Sequence, residues 1–246
     1  MRNQPRLGVS RSRADCWARE PLRLPHGATP SCTLELEGEA RKAGYRLVAG
    51  IDEVGRGALC GPVSAAAVVL AEATDVSGVN DSKQLTPRRR ELLSNRIRHT
   101  CRAWALGLAE AGEVDELGIV AATHLAMRRA VSGLGLSPDL LLVDGFAIAE
   151  LPIPQWPIIK GDARSASIAA ASIVAKVSRD ALMQELDVRY PGYGLAHNKG
   201  YGSQLHRDAL ARFGLSPIHR RSFCRSQLSL FADRCASSVE AQVALD

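Results

Sequence analysis

The stretch from residue 46 to residue 70, RLVAGIDEVGRGALCGPVSAAAVVL, constrains the fold of this chain more than any other. The apolar run over residues 47–51 predicts a buried strand, and residues 63–70 predict a second strand that returns as a hairpin. Asp52 and Glu53 stand at the end of the first strand. Because neighbouring side chains of a strand point to opposite faces, the sheet cannot bury both carboxylates without a partner. At least one must therefore be paired, hydrated or bound to a metal ion.

A glycine turn follows these acids directly. Gly55 and Gly57 flank Arg56, and glycines in a turn let the backbone approach a bulky partner closely. Taken alone, the segment is more typical of a strand end with hydrated acids and an ordinary turn. The rest of the chain decides between these interpretations.

Length and composition limit the possible classes of protein. The 246 residues are enough for one large domain with a full core. No apolar run reaches the roughly 18 residues of a membrane span, and the N-terminus has no continuous apolar segment typical of a secretory signal. Six cysteines occur without a Cys-x-x-Cys pair. This usage favours reduced thiols and a cytoplasmic location.

The charge is distributed unevenly along the chain. Residues 160–225 carry eleven Lys and Arg against five Asp and Glu, whereas residues 47–159 carry ten against thirteen. A basic segment beside an acidic one suits a polyanion that one part binds and a metal-loaded carboxylate cluster processes. Uneven hydrated surfaces would explain the charge alone equally well.

The order of predicted elements indicates a mixed sheet with helices on its faces. In addition to the hairpin, we expect three strands, over residues 103–109, 140–143 and 158–160. We also expect five helices, one before the hairpin over residues 31–43 and four after it over residues 88–98, 114–134, 163–189 and 203–213. Thr86 and Pro87 are suited to begin the second of these helices. The run over residues 140–143 has no polar break, which is typical of a central parallel strand.

Acidic residues follow three of the predicted strands. Asp144 ends the fourth strand and Asp162 follows the short fifth one, as Asp52 and Glu53 follow the first. Because ligands of open α/β sheets gather beyond the carboxyl ends of parallel strands, we expect these side chains to meet. Four like charges would repel one another unless cations lie among them. Oxygen ligands favour Mg²⁺ or Mn²⁺ over zinc, and two such ions about 4 Å apart suit attack on a phosphodiester.

Six motifs of the chain resemble the ribonuclease HII family, the type 2 ribonucleases H. The matching motifs are DEVGRG at 52–57, DSK at 81–83, VDG at 143–145, KGD at 160–162, SIAAASIVAKVSRD at 167–180 and KGYG at 199–202. The resemblance covers residues 31–223. It implies a ribonuclease H-like mixed sheet of three antiparallel strands plus parallel strands, flanked by helices, with a C-terminal helical substrate-binding region. Residues 1–30 are then expected to be a disordered basic extension, and residues 224–246 a flexible tail.

The resemblance also implies an activity and its residues. Catalytic and metal-binding roles fall on Asp52, Glu53, Asp144 and Asp162, with Mg²⁺ or Mn²⁺ as cofactor. Family members cut the RNA strand of RNA–DNA hybrids and nick duplex DNA on the 5′ side of a single embedded ribonucleotide, leaving 5′-phosphate and 3′-hydroxyl ends. This nick begins ribonucleotide excision repair.

Contacts to the substrate can be assigned in the same way. The resemblance gives Gly55, Arg56 and Gly57 the ribose 2′-hydroxyl, the group that separates RNA from DNA. It gives Tyr201 the neighbouring deoxyribose, although an isolated loop tyrosine is more often an ordinary surface residue. Four lysines are candidates for phosphate contacts, namely Lys83, Lys160, Lys176 and Lys199. Lys176 suits a lysine lying along its own helix equally well. Three histidines, His197, His206 and His219, are expected on surfaces without a metal.

The tail contains a short apolar peptide, QLSLF. It resembles the peptide by which bacterial repair and replication proteins bind the DNA sliding clamp, with Gln227, Leu228, Leu230 and Phe231 as contact residues. A tail that packs on its own domain is the equal alternative.

Two other functions remain open from the sequence. A non-catalytic nucleic-acid-binding or clamp-associated protein could keep this fold, although all four acids are present. Ribonuclease HIII is a sister nuclease, but the 45 N-terminal residues are too few and too irregular for its extra substrate-binding domain. We expect a monomer that acts on nucleic acid and not at a membrane.

Overall fold

Five strands form one mixed sheet in the computed structural model, which describes residues 32–71, 74–79, 82 and 85–224. The strands are β1 (Val48–Val54), β2 (Val63–Val69), β3 (Ala103–Ala109), β4 (Leu140–Asp144) and β5 (Gln155–Ile158). Their order across the sheet is β3-β2-β1-β4-β5. The β1–β2 and β2–β3 pairs are antiparallel, and the β1–β4 and β4–β5 pairs are parallel. The mixed fold and the parallel pairing of the apolar fourth strand are confirmed.

Seven helices lie in the described part of the chain. They are α1 (Glu35–Lys42), α2 (Pro87–Thr100), α3 (Ala111–Leu117), α4 (Ile119–Ser132), α5 (Ala166–Arg189), α6 (Leu195–Asn198) and α7 (Gln204–Phe213). A 3₁₀ turn (Gly161–Ala163) precedes α5. As expected, α2 begins with Pro87 in its first turn and with the Thr86 hydroxyl accepting the Arg89 amide at 3.3 Å.

The two faces of the sheet carry separate apolar layers. Alanines of α4 pack with Ile51 and Ala65 on one face, and the small residues of α5 pack with Ala66 and Val68 on the other. The approach of α5 is so close that a side chain at Gly50 of β1 would overlap the Ser167 backbone. A third cluster joins α7 to the hairpin through Cys60 and Leu210, and so places the C-terminal helices beside the glycine turn.

Several boundaries differ from the sequence-based expectation. The predicted helix over residues 114–134 is two helices, because Gly118 adopts φ of 78° and ends α3 where α4 begins. The short fifth strand lies at Gln155–Ile158 rather than 158–160, since Lys160 adopts a left-handed conformation with φ of 54°. The helix expected from residue 163 starts at Ala166, and the glycine-rich loop after it contains α6. Within the described residues, no helix combines the length and apolar character that crossing a membrane requires.

Candidate active site

Asp52 lies directly after the last residue of β1 that pairs with its parallel neighbour β4. The β1–β4 ladder ends at the Ile51–Val143 pair, while β1 continues along β2 to Val54. The two acids are therefore inside the strand, not beyond its end as expected, but they follow the last β1–β4 pair. This register places Asp52 and Asp144 at the same level, at the carboxyl end of the parallel strands.

Asp52 is almost fully buried, at 5% exposure, on the face that packs against α5. Its Oδ1 accepts the Glu53 amide at 2.7 Å, and the Ser172 hydroxyl of α5 donates to its carboxylate. Burial raises the pKa of Asp52 well above its ordinary value, and the carboxylates of Glu53, Asp144 and Asp162 raise it further. The Ser172 bond lowers it in part. The other three predicted acids thus all act on Asp52.

Asp144 and Asp162 are placed by a short backbone contact. The Gly161 amide donates to Asp144 Oδ1 at 2.6 Å, which joins the end of β4 to the 3₁₀ turn that carries Asp162. A Cβ at Gly161 would lie 2.6 Å from Ile168 Cδ1 and 3.2 Å from Asp144 Oδ1, so glycine is required at this approach. Asp162 is 6% exposed.

Glu53 points to the opposite face of the sheet from Asp52, as the alternation of a strand dictates. It pairs with Arg56 of the glycine turn, with Oε1 and Nη1 3.1 Å apart. It also lines a cavity of about 340 Å³. The other lining residues are Arg56, Val120, Thr123, His124, Met127, Asp144, Gly145 and Phe146.

The donor chemistry of this site fits a hard divalent cation. The four acids offer only carboxylate oxygens, and the excess of negative charge beside a buried Asp52 requires compensation. Among the described residues, no three of these acids have oxygens that all lie within 4.8 Å of one another. The acids therefore do not form a group of three ligands around a single point in this structure.

The glycine turn is held from beneath by buried arginines. Gly55 adopts φ of 86°, and a side chain there would overlap the guanidinium of Arg179. The carbonyl of Arg56 accepts a hydrogen bond from Arg220 Nη1 at 2.8 Å. Arg56 and Gly57 themselves are exposed, so the turn presents its outer side to a ligand.

The family model for ribonuclease HII matches residues 49–226. The chain belongs to the ribonuclease HII family. A ribonuclease HII of Desulfitobacterium hafniense is 49% identical over 225 residues, which cover 92% of this chain and 86% of that protein. Membership makes the chain a metal-dependent endoribonuclease of the ribonuclease H type.

Solved structures agree with this assignment. The ribonuclease H2 of Pyrococcus horikoshii OT3 is 28% identical with a TM-score of 0.64, and the match covers 76% of this chain and 99% of that one. The ribonuclease HII in a complex with PCNA from Archaeoglobus fulgidus is 26% identical with a TM-score of 0.60, over 70% of this chain and 91% of that one.

In this ribonuclease HII family member, the loop that carries Tyr201 lies beside the glycine turn. Tyr201 is 38% exposed, and its ring lies under the Arg179 guanidinium, 5.7 Å from the guanidinium carbon to the ring centroid. The loop is tied to the hairpin by a hydrogen bond from the Leu59 amide to the Gly200 carbonyl at 2.8 Å. The structure thus brings Tyr201 next to the 55–57 turn.

Two of the lysines proposed for phosphate contacts are engaged with their own chain, whereas Lys160 is exposed beside the 3₁₀ turn that carries Asp162. Lys176 Nζ pairs with Asp180 at 2.7 Å, and Lys199 Nζ donates to the Ala196 carbonyl at 2.6 Å. Burial lowers the pKa of Lys199. Lys83 lies outside the described residues. The same holds for the clamp peptide residues Gln227, Leu228, Leu230 and Phe231.

The expectation that His206 and His219 are surface residues is wrong. Both are buried, with their Nε2 atoms 3.1 Å apart. The Tyr201 carbonyl can only accept, so Nδ1 of His206 carries its proton; the Ser216 amide donates to Nδ1 of His219, which is therefore unprotonated. His219 thus donates from Nε2 to His206, and the pair is satisfied as two neutral rings. The two histidines are 13 residues apart, on α7 and in the following loop. This spacing matches no hydrophobic periodicity, so the sequence did not indicate that they are buried.

Cys60 completes the one group of three possible metal ligands that the described residues contain. Its Sγ lies 4.0 Å from His206 Nε2. Burial raises the pKa of the Cys60 thiol to about 12. Two buried guanidiniums, of Arg179 and Arg220, already act on this thiol. A further cation would be repelled, and it would have to displace the proton that joins the two histidines.

Two residues beside the acids carried no clear sequence signal. His124 of α4 and Phe146 line the cavity with Glu53 and Asp144, and Phe146 is 67% exposed. Burial and the charges of Arg128 and Arg56 lower the pKa of His124. Phe146 directly follows Asp144 and Gly145 in the sequence, and this position is the one local feature that places it near the acids.

Proposed function

We propose that this chain hydrolyses the RNA strand of RNA–DNA hybrids and nicks duplex DNA on the 5′ side of single embedded ribonucleotides. The proposed products carry 5′-phosphate and 3′-hydroxyl ends, and the nick would begin ribonucleotide excision repair. The observation that carries the proposal is the buried Asp52, on which Glu53, Asp144 and Asp162 all act from one end of the sheet.

The four acids are proposed to hold Mg²⁺ or Mn²⁺ in a two-ion arrangement, because carboxylate oxygens are the ligands that these ions prefer. Bound divalent ions activate water as a nucleophile and neutralise charge at the phosphate. The chain itself supplies orientation. Ser172 holds the Asp52 carboxylate, and the Gly161 amide holds that of Asp144.

Recognition of the ribonucleotide is assigned to the glycine turn and the neighbouring loop. The amides of the 55–57 turn can approach a 2′-hydroxyl without a side-chain clash, because Gly55 and Gly57 lack Cβ atoms. Arg56 is half exposed and pairs with Glu53, so it can reach a phosphate next to the acids. Tyr201 can place its exposed ring against the sugar that follows.

The test is a duplex DNA that contains one ribonucleotide, incubated with Mg²⁺ or with Mn²⁺. The expected product is a single nick on the 5′ side of the ribonucleotide, with an all-DNA duplex left intact. Asp144→Asn should abolish the nick. A protein that binds this duplex but leaves it uncut with either ion would instead support the non-catalytic alternative.

A second proposal concerns the tail. Residues 227–231, QLSLF, offer two leucines and a phenylalanine at a spacing suited to an apolar groove, and the ribonuclease HII of Archaeoglobus fulgidus forms a complex with PCNA. We infer that this peptide binds the DNA sliding clamp. Leu230→Ala combined with Phe231→Ala should abolish co-purification with the clamp and leave cleavage of the free duplex intact. Unchanged clamp binding would rule the proposal out.

A further inference from the structure

Arg179 is a buried cation in the middle of α5, with 1% of its surface exposed. Its three hydrogen bonds all go to backbone carbonyls. Nε donates to Pro62 at 3.0 Å, Nη2 to Cys60 at 3.3 Å and Nη1 to Lys199 at 2.9 Å. A guanidinium in this environment is stabilised only if its donors are satisfied, so these three carbonyls fix its position.

The three carbonyls belong to two elements that are distant in sequence. Cys60 and Pro62 lie in the hairpin that contains the glycine turn, whereas Lys199 begins the loop that carries Tyr201. The same side chain lies over the Tyr201 ring and beneath Gly55. One guanidinium therefore contacts both elements assigned to substrate recognition.

A backbone hydrogen bond from Leu59 to Gly200 also joins these elements. One such bond holds two segments together at a point but does not prevent rotation about that point. Arg179 adds contacts on either side of it, to Lys199 and to the hairpin carbonyls. These contacts set the orientation of the Tyr201 ring relative to the glycine turn.

Arg220 provides an internal comparison. It is equally buried, at 0% exposure, and also makes three hydrogen bonds to carbonyls. Nε and Nη2 both donate to Gly61, and Nη1 donates to Arg56. All of its acceptors lie in the hairpin. Arg220 therefore holds the glycine turn without linking it to the Tyr201 loop.

We propose that Arg179 is a positioning residue that sets the Tyr201 loop against the glycine turn and so determines the preference for a single embedded ribonucleotide over a continuous hybrid. The inference rests on the proposed function. Both substrates present a 2′-hydroxyl to the turn. Only the single ribonucleotide presents, directly after it, the deoxyribose assigned to Tyr201.

The decisive measurement is kcat/KM on two substrates, a duplex with one ribonucleotide and a continuous RNA–DNA hybrid. Arg179→Lys keeps the charge but loses the planar arrangement of donors. It should lower the ratio of single-ribonucleotide to hybrid cleavage roughly tenfold, as expected for a displaced recognition group. Arg220→Lys, the matched control, should lower both activities together and leave the ratio unchanged. Equal losses on both substrates in Arg179→Lys would overturn the inference.

A double-mutant cycle separates positioning from general destabilisation. If Arg179 acts through Tyr201, Arg179→Lys should have no further effect on the ratio in a Tyr201→Ala background. An undiminished effect in that background would also overturn the inference. Thermal unfolding of each variant shows that the assay temperature lies below its transition.

Gly200→Ala tests the same link if Arg179→Lys does not fold. A Cβ at Gly200 would lie 2.6 Å from the Cys60 carbonyl oxygen, so it must shift the loop away from the hairpin while Arg179 stays unaltered. The ratio should again fall, and an unchanged ratio would contradict the inference. If the wild-type enzyme fails to nick the single-ribonucleotide duplex, the proposed function itself is refuted. The wild-type measurement therefore tests the proposed function separately from the role of Arg179.

Discussion

The hydroxyl of Ser172 on α5 donates a hydrogen bond to the carboxylate of Asp52 on β1. Ser172 is itself bonded to Ser82, with the two Oγ atoms 2.9 Å apart. Since the Ser172 proton is directed to the carboxylate, Ser82 donates to Ser172. A chain of two hydroxyls thus ends on the most buried acid of the site and orients it, and the Ser172 bond lowers the pKa of Asp52 against the larger effects of burial and of its acidic neighbours.

Asp52→Asn is expected to separate stability from activity. Without a cation, the Asp52 carboxylate is buried beside like charges, and an amide of the same shape removes this repulsion while still accepting the Glu53 amide. The melting temperature in EDTA should therefore rise. Cleavage should fall by roughly a thousandfold, because several kcal/mol of transition-state stabilisation are lost. Mg²⁺ should raise the melting temperature of the wild type more than that of the variant. A lower melting temperature of the variant in EDTA would contradict this account.

Ser172→Ala tests the hydroxyl chain. Loss of a group that orients a metal ligand typically costs about 10–100-fold in metal affinity or activity. We expect the Mg²⁺ concentration for half-maximal cleavage to rise within that range. Ser94→Ala on α2 is a matched control, since Ser94 is equally buried and its hydroxyl has no hydrogen-bond partner among the described residues. Identical Mg²⁺ requirements in both variants would show that Ser172 does not support Asp52.

Gly50→Ala tests the packing that places α5 against the acids. The added Cβ would overlap the backbone of Ser167, so the helix must move away from β1. The free energy of unfolding should fall by about 3 kcal/mol or more, at the upper end of the cost of overpacking. Gly38→Ala is the control, because a Cβ there meets nothing within 4 Å and alanine favours the helix by roughly 0.5–1 kcal/mol. Chemical denaturation of the two variants measures both effects.

Tyr201→Ala should weaken cleavage at a single ribonucleotide more than cleavage of a long hybrid. The exposed ring is proposed to stack on the deoxyribose after the ribonucleotide, a feature that a continuous hybrid lacks. Tyr201→Phe keeps the ring and should retain the preference of the wild type. The measurement is the ratio of kcat/KM on the two substrates. Equal losses on both in Tyr201→Ala would remove its proposed role at the junction.

The sheet and its acids could be predicted because their signals are local. The uninterrupted apolar run at residues 140–143 predicted a parallel partner for β1, and β4 is that partner. The acids at 52, 53, 144 and 162 follow short apolar runs, and strand topology brings such positions to one edge. The break at Gly118 was missed, since the apolar spacing continues across a glycine whose positive φ separates α3 from α4.

The supports of the substrate site could not be predicted from local patterns. No local pattern indicates that Arg179 and Arg220 are buried, because only the fold places backbone carbonyls around them. The His206–His219 pair could not be predicted for the same reason, because one histidine lies on α7 and the other in a later loop. Whether a polar side chain is buried by residues distant in sequence depends on tertiary contacts, and the hydrophobic periodicity of the sequence does not indicate these contacts. The segments proposed to recognise substrate were thus easier to identify from the sequence than the residues that hold them.

The neutral pair of His206 and His219 should make stability depend on pH. Burial and the neighbouring His206 lower the pKa of His219 from 6.5 to about 4, and burial lowers that of His206. The unfolded chain then binds more protons than the folded one between pH 6.5 and pH 4. The stabilisation is complete above pH 6.5 and is lost as the pH falls, by on the order of 3 kcal/mol for His219.

His219→Gln isolates this contribution. A glutamine amide has an acceptor oxygen and an NH₂ group, which can replace Nδ1 for the Ser216 amide and Nε2–H for His206, but it does not take up a proton. The variant should match the wild type at pH 7.5 within about 1 kcal/mol, the usual contribution of one hydrogen bond. It should lose less stability than the wild type between pH 6.5 and pH 4. Because both proteins carry the same acids, the difference between their denaturation midpoints across this range reports the histidine pair and not the carboxylates. Parallel curves would show that His219 does not titrate in this way.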